Sequence, residues 1–379
     1  MLRATVARTL TAVGAAGFLV ATFGAANASP RPAPPAAANV HPETSVTKQL
    51  NAIVTIGSTV DPINGDQNPY GLAIAPVTAG AIHQGDLIIC NFNDGNPFNI
   101  QGLGTTIEDL SPVPGSSPTR ISQDPRLTGC DALALDPKGF IWAAALDAND
   151  NPIVSPSGSL VTSLPGFSWG GPWGQAYSGT PEPRRTGAFY ESNSLDGSIV
   201  RINLTDAGGI SFTKIVTGFP VNHGVPGTIL GPSGLTYDMV HDVLFVVDGM
   251  NNTVYSLFAP GKIVKDGITI APNGSVGGPS ASALRVVFSG APLNAPISAA
   301  LLYNGNLVVG NTTNNRLVEI STPYGRVLHT VNLDTGAAGA LFGIVATGTS
   351  AATTKIYFND DNTNTVDVLE QNTSSIQRR

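Results

Sequence analysis

One repeated pattern limits the folds open to this chain more than any other feature. Each copy has an apolar strand that opens near a glycine, a Gly/Asp/Asn turn, a β-rich strand that ends in Asn or Asp, a second turn and a third apolar strand. Apolar and polar residues alternate with period two, and long stripes of apolar residues at helical spacing are absent. Each copy therefore predicts a four-stranded antiparallel sheet. Six copies can be written without overlap, with first strands that begin near Tyr70, Asp131, Trp173, Ser233, Ser298 and Phe342.

The spacing of these copies predicts an all-β, six-bladed β-propeller, because about 40–50 residues per four-stranded unit is the propeller period. The longer copies need only surface insertions, such as residues 263–283 in the fourth. The sixth copy has three strands, and QLNAIVTI (residues 49–56) precedes the first copy. We expect that segment to be the outer strand of the last blade, which closes the ring and removes exposed edges. Seven blades remain an alternative if residues 208–229 contain a degenerate blade.

The N-terminal segment has the pattern of a secretory signal. Arg3 and Arg8 precede an apolar run that leads to Ala26-Asn27-Ala28, and this small-x-small form is what signal peptidase accepts. We interpret residues 1–28 as a cleaved signal peptide, 29–45 as a Pro/Ala-rich flexible linker, 46–371 as the propeller domain and 372–379 as a disordered tail. We expect no membrane span, since no later segment approaches ~20 uncharged apolar residues.

Charge restricts the partners. Removal of Arg3 and Arg8 with the signal changes the formal net charge from −7 to −9. Nucleic acids and anionic lipids are held by dense Lys/Arg surfaces, so we expect neither. The sequence predicts a secreted or periplasmic protein, a monomer whose partner is a small molecule, a glycan or a peptide. Whether it is an enzyme stays open.

Two segments resemble NHL repeats. They are VLFVVDGMNNTVYSLFAPGKIV (residues 243–264) and NLVVGNTTNNRLVEISTPYGRVL (306–328), each with an apolar strand, Asp or Asn, an Asn-containing turn, an alternating strand and a glycine hairpin. The other copies match more loosely. The resemblance implies an exported bacterial six-bladed propeller. It implies no single function, because that family ranges from interaction scaffolds to enzymes.

One face of the predicted ring collects polar and aromatic residues. The start of an inner strand and the end of its antiparallel neighbour lie at the same face, which also carries the mouth of the central channel. Second strands end near Asn91, Asn93, Asp147, Glu191, Asn193, Asp248, Asn311, Asn359 and Asp360. The leading hypothesis is a binding module without a cofactor, because aromatic faces beside polar groups suit sugars, peptides or flat ligands. The predicted ligand-binding residues are Tyr70, Asp131, Trp173 and Phe342.

The alternative is a calcium-dependent hydrolase or lactonase. The resemblance to gluconolactonase and paraoxonase-like propellers implies calcium held by Glu191, Asn193, Asp248 and Asn311, because carboxylate and amide oxygens are the ligands of that ion. His223, in PVNHGVPGT before the fourth inner strand, is the candidate general base. A competing interpretation is that these Asn and Asp side chains cap hairpins.

Cys90 and Cys130 are the two cysteines of the chain. Their places at the end of the second strand of blade 1 and the start of the inner strand of blade 2 put them on one face of adjacent blades. An oxidising compartment favours their pairing. A catalytic thiol is the alternative, but neither cysteine has a flanking basic residue to lower its pKa. We therefore predict a disulfide.

Overall fold

A computed structural model describes residues 44–164, 167–179, 187–205 and 209–372. The predicted signal peptide, residues 29–43 of the predicted linker and residues 373–379 of the predicted tail lie outside the described residues. Short 3-10 helices occur at Thr47–Gln49, Pro125–Leu127, Pro260–Lys262, Ala281–Ala283 and Ala351–Thr353. Among the described residues, no helix has the length and apolar composition needed to span a membrane.

The strands form six antiparallel blades, which confirms the predicted propeller. The first strand of the described residues is β1 (Ala52–Ser58), which belongs to the last blade. The first three blades, each written from the inner strand outward, are blade 1 with β2 (Gln67–Ile74), β3 (Leu87–Asn93), β4 (Thr106–Leu110) and β5 (Thr119–Gln123); blade 2 with β6 (Cys130–Leu135), β7 (Ile141–Ala145), β8 (Ile153–Val154) and β9 (Leu160–Thr162); and blade 3 with β10 (Pro172–Tyr177), β11 (Ala188–Asn193), β12 (Ser198–Leu204) and β13 (Ile210–Thr217).

The second half of the ring has the same order, except for one insertion. Blade 4 consists of β14 (Pro232–Asp238), β15 (Val243–Asp248), β16 (Thr253–Phe258) and β19 (Leu284–Ser289); its insertion carries β17 (Ile268–Ile270) and β18 (Val276–Gly277); blade 5 consists of β20 (Pro296–Leu301), β21 (Leu307–Asn311), β22 (Arg316–Ser321) and β23 (Arg326–Asn332); and blade 6 consists of β24 (Leu341–Thr347), β25 (Lys355–Asp360), β26 (Thr365–Glu370) and β1.

The ring closes as predicted, with a shift in the strand bounds. β1 pairs with β26 along its length, from Ala52 opposite Glu370 to Ser58 opposite Thr365. The strand runs over Ala52–Ser58 rather than 49–56, because the chain first makes the 3-10 turn Thr47–Gln49. The seven-bladed alternative is wrong, since β13 within 208–229 is the outer strand of blade 3.

The predicted insertion of blade 4 also covers an edge of blade 3. β17 pairs in parallel with β13, through Val216 opposite Ile268, and β18 pairs with β17. Ile268 is fully buried in the core cluster that blades 3 and 4 share. The insertion therefore shields an edge strand that would otherwise present unpaired backbone groups.

The inner strands contact each other around the channel in the order β2, β6, β10, β14, β20 and β24. Each contains a register irregularity near its start, where a channel-facing residue precedes a small one. The small residues are Gly71, Ala132, Gly174, Gly234, Ser298 and Gly343. A Cβ on Gly343 would lie 2.5 Å from the Tyr70 carbonyl oxygen, and one on Gly234 would lie 2.6 Å from that of Ile297. Close approach of the backbones thus explains the repeated glycine.

The predicted disulfide between Cys90 and Cys130 is present, with a Cα–Cα distance of 5.8 Å. Cys130 begins β6 as predicted, but Cys90 lies within β3, which continues to Asn93. Both residues are fully buried between blades 1 and 2. The bond therefore joins two blades that also share a backbone hydrogen bond beside it, from the Gly129 N–H to the Gly104 carbonyl oxygen at 2.9 Å.

Replacing Cys90 and Cys130 together with alanine should lower the free energy of unfolding by about 4 kcal/mol, because the bond closes a loop of 40 residues in the unfolded chain. Urea unfolding with and without a reducing agent measures this. The reductant should destabilise the wild type and leave the double variant unchanged. Equal stability of both proteins under oxidising conditions would contradict the prediction.

Candidate functional site

The structure brings the predicted aromatic residues together at the mouth of the channel. The ring of Tyr70 stacks on Phe342 at a centroid distance of 3.6 Å and lies 6.2 Å from Trp173. Phe92 stacks on the other side of Tyr70 at 4.1 Å, and Ile297 completes the cluster from blade 5. The sequence pattern predicted neither Phe92 nor Ile297: in blade 5 it indicated Ser298, whereas the small-residue pattern of the inner strands assigns the channel position to Ile297.

This cluster is closed rather than open. Tyr70, Trp173 and Phe342 are only 2%, 6% and 8% exposed. The cavity that they line with Asp131 has a volume of about 70 Å³, whereas ligand sites usually measure about 300–1,000 Å³. The channel can hold a few water molecules in this conformation. The proposed role of these four residues in ligand binding stays a prediction.

Asp131 is a buried acid at this point. Burial, followed by the charge of Asp147, raises the pKa of Asp131 well above its ordinary value. Neither of its carboxylate oxygens has a hydrogen-bond partner among the described residues, and the same holds for Oε1 of Gln175 and Oγ of Ser298 in the same cavity. Buried polar atoms of this kind are commonly satisfied by internal water. The channel is therefore a polar cavity closed by aromatic rings.

The four predicted calcium ligands are buried at or near the ends of second strands, and each accepts hydrogen bonds from a nearby turn, loop or neighbouring blade. Asn193 Oδ1 accepts a hydrogen bond from the Gly170 N–H at 2.9 Å, and Asn311 Oδ1 accepts one from the Asn294 N–H at 3.1 Å. Asp248 Oδ1 caps its own turn through the N–H groups of residues 250 and 251. Glu191 Oε2 accepts a hydrogen bond from Asn151 of blade 2.

These bonds leave few oxygens for a metal ion. Two carboxylate oxygens, Oε1 of Glu191 and Oδ2 of Asp248, have no hydrogen-bond partner among the described residues. Burial raises the pKa of Glu191 well above its usual value and raises that of Asp248 to about 6. Calcium prefers six to eight oxygen ligands, and the amide oxygens of Asn193 and Asn311 already serve the backbone. Asp248 caps its hairpin turn, whereas Asn193 and Asn311 bind loops that lead into inner strands, so the observed contacts fit a structural role more closely than a calcium centre.

His223 is exposed on the loop between β13 and β14. Its backbone has a φ of 51°, in the left-handed region. The imidazole forms no hydrogen bond with another described residue, and no carboxylate there orients it as a general base needs. Its proposed catalytic role stays a prediction.

A wider opening lies beside the channel on the same face. We call it the groove; its volume is about 450 Å³, and it is bounded by Leu146, Asp147, Asn149, Trp169, Gly170, Gly171, Leu195, Gly224, Pro226 and Ile229. These residues follow β7 and β11 or precede β10 and β14. The groove thus lies over blades 2 and 3 and against the loop that leads into blade 4.

Hydrogen bonds between neighbouring blades hold the groove in shape. Asn149 donates to the Trp169 carbonyl oxygen and accepts from the Gly171 N–H, both at 3.1 Å. The Leu195 N–H donates to the Gly170 carbonyl oxygen at 2.8 Å. Sequence reasoning placed Asp147 on this face but missed the groove, because its walls come from loops of three blades.

Comparison with known proteins supports the fold alone. No protein-family model matches the sequence, and no curated protein matches it significantly. Among solved structures, a putative gluconolactonase aligns with a TM-score of 0.52 at 12% identity, covering 87% of this chain and 96% of the other. A catalytically inactive virginiamycin B lyase from Staphylococcus aureus, solved with quinupristin, aligns with a TM-score of 0.50 at 16% identity, covering 84% and 98%.

A third structure, a protein of unknown function from Bacteroides thetaiotaomicron, has a TM-score of 0.51 at 13% identity and covers 83% of this chain and 74% of the other. At these identities the likeness identifies the class of fold and no activity. The chain is a six-bladed β-propeller, and these neighbours support that class of fold.

Proposed function

We propose that this protein is an exported binding module that holds its ligand in the groove on the channel-mouth face. The observation that supports this most is the size of the groove: about 450 Å³ falls within the usual range of ligand sites. The channel cavity of about 70 Å³ does not. The Cys90–Cys130 bond supports export, since disulfides persist in oxidising compartments.

The groove wall suggests the kind of ligand. Leu146, Trp169 and Ile229 form a buried apolar floor, while Asp147 and Leu195 are exposed at its rim. An apolar floor with a few polar groups at the edge suits a ligand that has a flat or apolar part and a hydrogen-bonding group. A small molecule, a glycan or a peptide side chain can meet that requirement.

Replacing Leu195 with aspartate should weaken ligand binding by about tenfold, because it places a charge at an apolar contact of the ligand. Leu195 is 36% exposed, so the substitution should leave the fold intact. The probes are an oligosaccharide array, a panel of short peptides and a panel of aromatic small molecules, with affinities from calorimetry. Trp173→Ala is a poorer test, because truncating that buried ring also destabilises the fold.

The matched control is Met250→Asp, on the same face but outside the groove and 42% exposed. It should bind the same probe as tightly as the wild type. Equal affinity of Leu195→Asp and the wild type, or no binding of any probe class by the wild type, would reject the groove as the site.

The second candidate is the calcium-dependent hydrolase. One oxygen of Glu191 and one of Asp248, on adjacent blades, have no hydrogen-bond partner among the described residues, and this observation favours it. The engaged amide oxygens of Asn193 and Asn311 count against it. Metal analysis after dialysis, followed by assays with lactones and aryl esters, tests it independently of the groove.

A further inference from the structure

Three metal-binding side chains meet on the opposite face of blade 1. His83 and Asp86 lie in the connection between β2 and β3, and Asp109 lies near the end of β4. This end of the blade faces away from the channel mouth, since it holds the end of the inner strand and the start of the second strand. Nothing in the proposed binding function uses these residues.

Their geometry is close to that of a three-ligand metal site. One ligand atom from each residue lies within 4.8 Å of the other two. Nδ1 of His83 is 3.1 Å from Oδ2 of Asp86. Ligand atoms about 2.1 Å from a tetrahedral metal ion stand about 3.4 Å apart, so the His83–Asp86 pair already has the required spacing.

A second observation concerns Asp109. Its Oδ1 is buried and has no hydrogen-bond partner among the described residues. Asp109 pairs with Ile88, two residues after Asp86, across β3 and β4, so two carboxyl groups are held side by side. A buried carboxylate oxygen next to another carboxylate is unfavourable unless a cation or a proton compensates it.

The backbone around His83 and Asp86 is also held in place. Ile82 is fully buried, and its N–H and carbonyl group both bond to Ala79. The Asp86 N–H donates to the His83 carbonyl oxygen at 3.0 Å. Asp86 is 8% exposed, whereas the side chain of His83 is 69% exposed. The site is thus anchored on its protein side and open to solvent at the imidazole.

We propose that His83, Asp86 and Asp109 bind a divalent transition-metal ion of the zinc type, with solvent completing the coordination. An imidazole with two carboxylates suits zinc and its neighbours better than calcium or magnesium, which prefer oxygen ligands. The bound ion would tie the β2–β3 connection to β4. Its role would be structural, on the face away from the groove.

Blade 4 contains a matched pair without the third ligand. Nδ1 of His241, in the connection between the inner and second strands, lies 2.7 Å from Oδ2 of Asp238, the last residue of β14. The His241 side chain is 70% exposed. The third strand of that blade ends in Leu257 and Phe258. The described residues place no third His, Cys, Asp or Glu with that pair. The His241–Asp238 pair is therefore a control for an ordinary His–Asp contact that has no third ligand.

The experiment is calorimetric titration of the metal-free secreted protein with zinc chloride, with calcium chloride in parallel. We expect one zinc site, lost or strongly weakened in both His83→Ala and Asp109→Asn. Removing a group that merely supports a metal ligand costs about 10–100-fold in affinity, so loss of a ligand should cost at least as much. His241→Ala should bind zinc like the wild type.

Thermal unfolding with and without zinc is the second measurement, because a ligand of the folded state raises the melting temperature. Zinc should stabilise the wild type and His241→Ala and leave His83→Ala unchanged. Absence of zinc binding by the wild type, or equal binding by His83→Ala, would overturn the site. A calcium response without a zinc response would also overturn it. None of these three results bears on the groove.

Discussion

Replacing Gly343 with alanine should destabilise the propeller by about 4 kcal/mol or more, because the added methyl group has no room between two inner strands. A Cβ at this position would lie 2.5 Å from the Tyr70 carbonyl oxygen and 2.8 Å from Nδ2 of Asn359. That amide donates to the carbonyl oxygens of Tyr70 and Gly71, both at 3.1 Å, and so links blade 6 to blade 1. The substitution therefore disturbs the closure of the ring.

Gly277→Ala is the control for this prediction, since nothing lies within 4 Å of a Cβ there. Urea unfolding should find its stability within about 0.5 kcal/mol of the wild type. If Gly343→Ala were as stable as the wild type, the prediction would be wrong, because the inner strands could then move apart without a loss of stability. Exclusion of Gly343→Ala from the soluble, folded fraction while Gly277→Ala folds would agree with the expected loss.

The second large effect is expected at Glu319, a fully buried carboxylate in blade 5. It accepts hydrogen bonds from the Ser45 hydroxyl at 2.6 Å, from the Val46 and Thr47 N–H groups at 2.9 Å and from Asn306 Nδ2 at 2.8 Å. These bonds hold the segment that leads into β1. Glu319→Gln leaves the backbone donors facing a neutral amide, and we expect a loss of about 3 kcal/mol.

Glu370→Gln is the matched control, because Glu370 pairs with Lys355 at a partly exposed position in β26. Such pairs contribute only about 0–1 kcal/mol. Hydrogen exchange should show faster exchange at Val46 and Thr47 in Glu319→Gln and no change in Glu370→Gln. Unchanged exchange in both variants would mean that Glu319 does not hold this segment.

The pH dependence of this effect has a definite sign. Burial raises the pKa of Glu319, but the hydrogen bonds from Ser45, Val46 and Thr47 outweigh it and lower the pKa below its ordinary value. A lowered folded-state pKa stabilises the protein above the unfolded value, and this contribution is lost as the pH falls through the folded value. The difference between the wild type and Glu319→Gln should therefore shrink below about pH 4.3.

The repeat pattern was sufficient to predict the ring. Period-two alternation and turn residues are local signals, so six copies imply six sheets, and an incomplete last copy implies closure by a segment from the other chain end. The disulfide could be predicted from the same repeat pattern, because the blade topology alone makes Cys90 and Cys130 neighbours. The strand bounds around residue 50 were less accurate, since the turn before β1 depends on Glu319, about 270 residues away.

The site depended on tertiary structure instead. The sequence predicted which residues share the channel-mouth face, and Tyr70, Trp173 and Phe342 do meet there. It could not predict that their rings would pack on each other and close the channel, because ring packing depends on how tightly the inner strands approach. The groove, built from loops of three blades, exists only after the blades are assembled. His83, Asp86 and Asp109 meet only once blade 1 has folded, because the pairing of β3 with β4 brings them together. Periodicity determines blades, whereas the volumes between them are decided by side-chain packing.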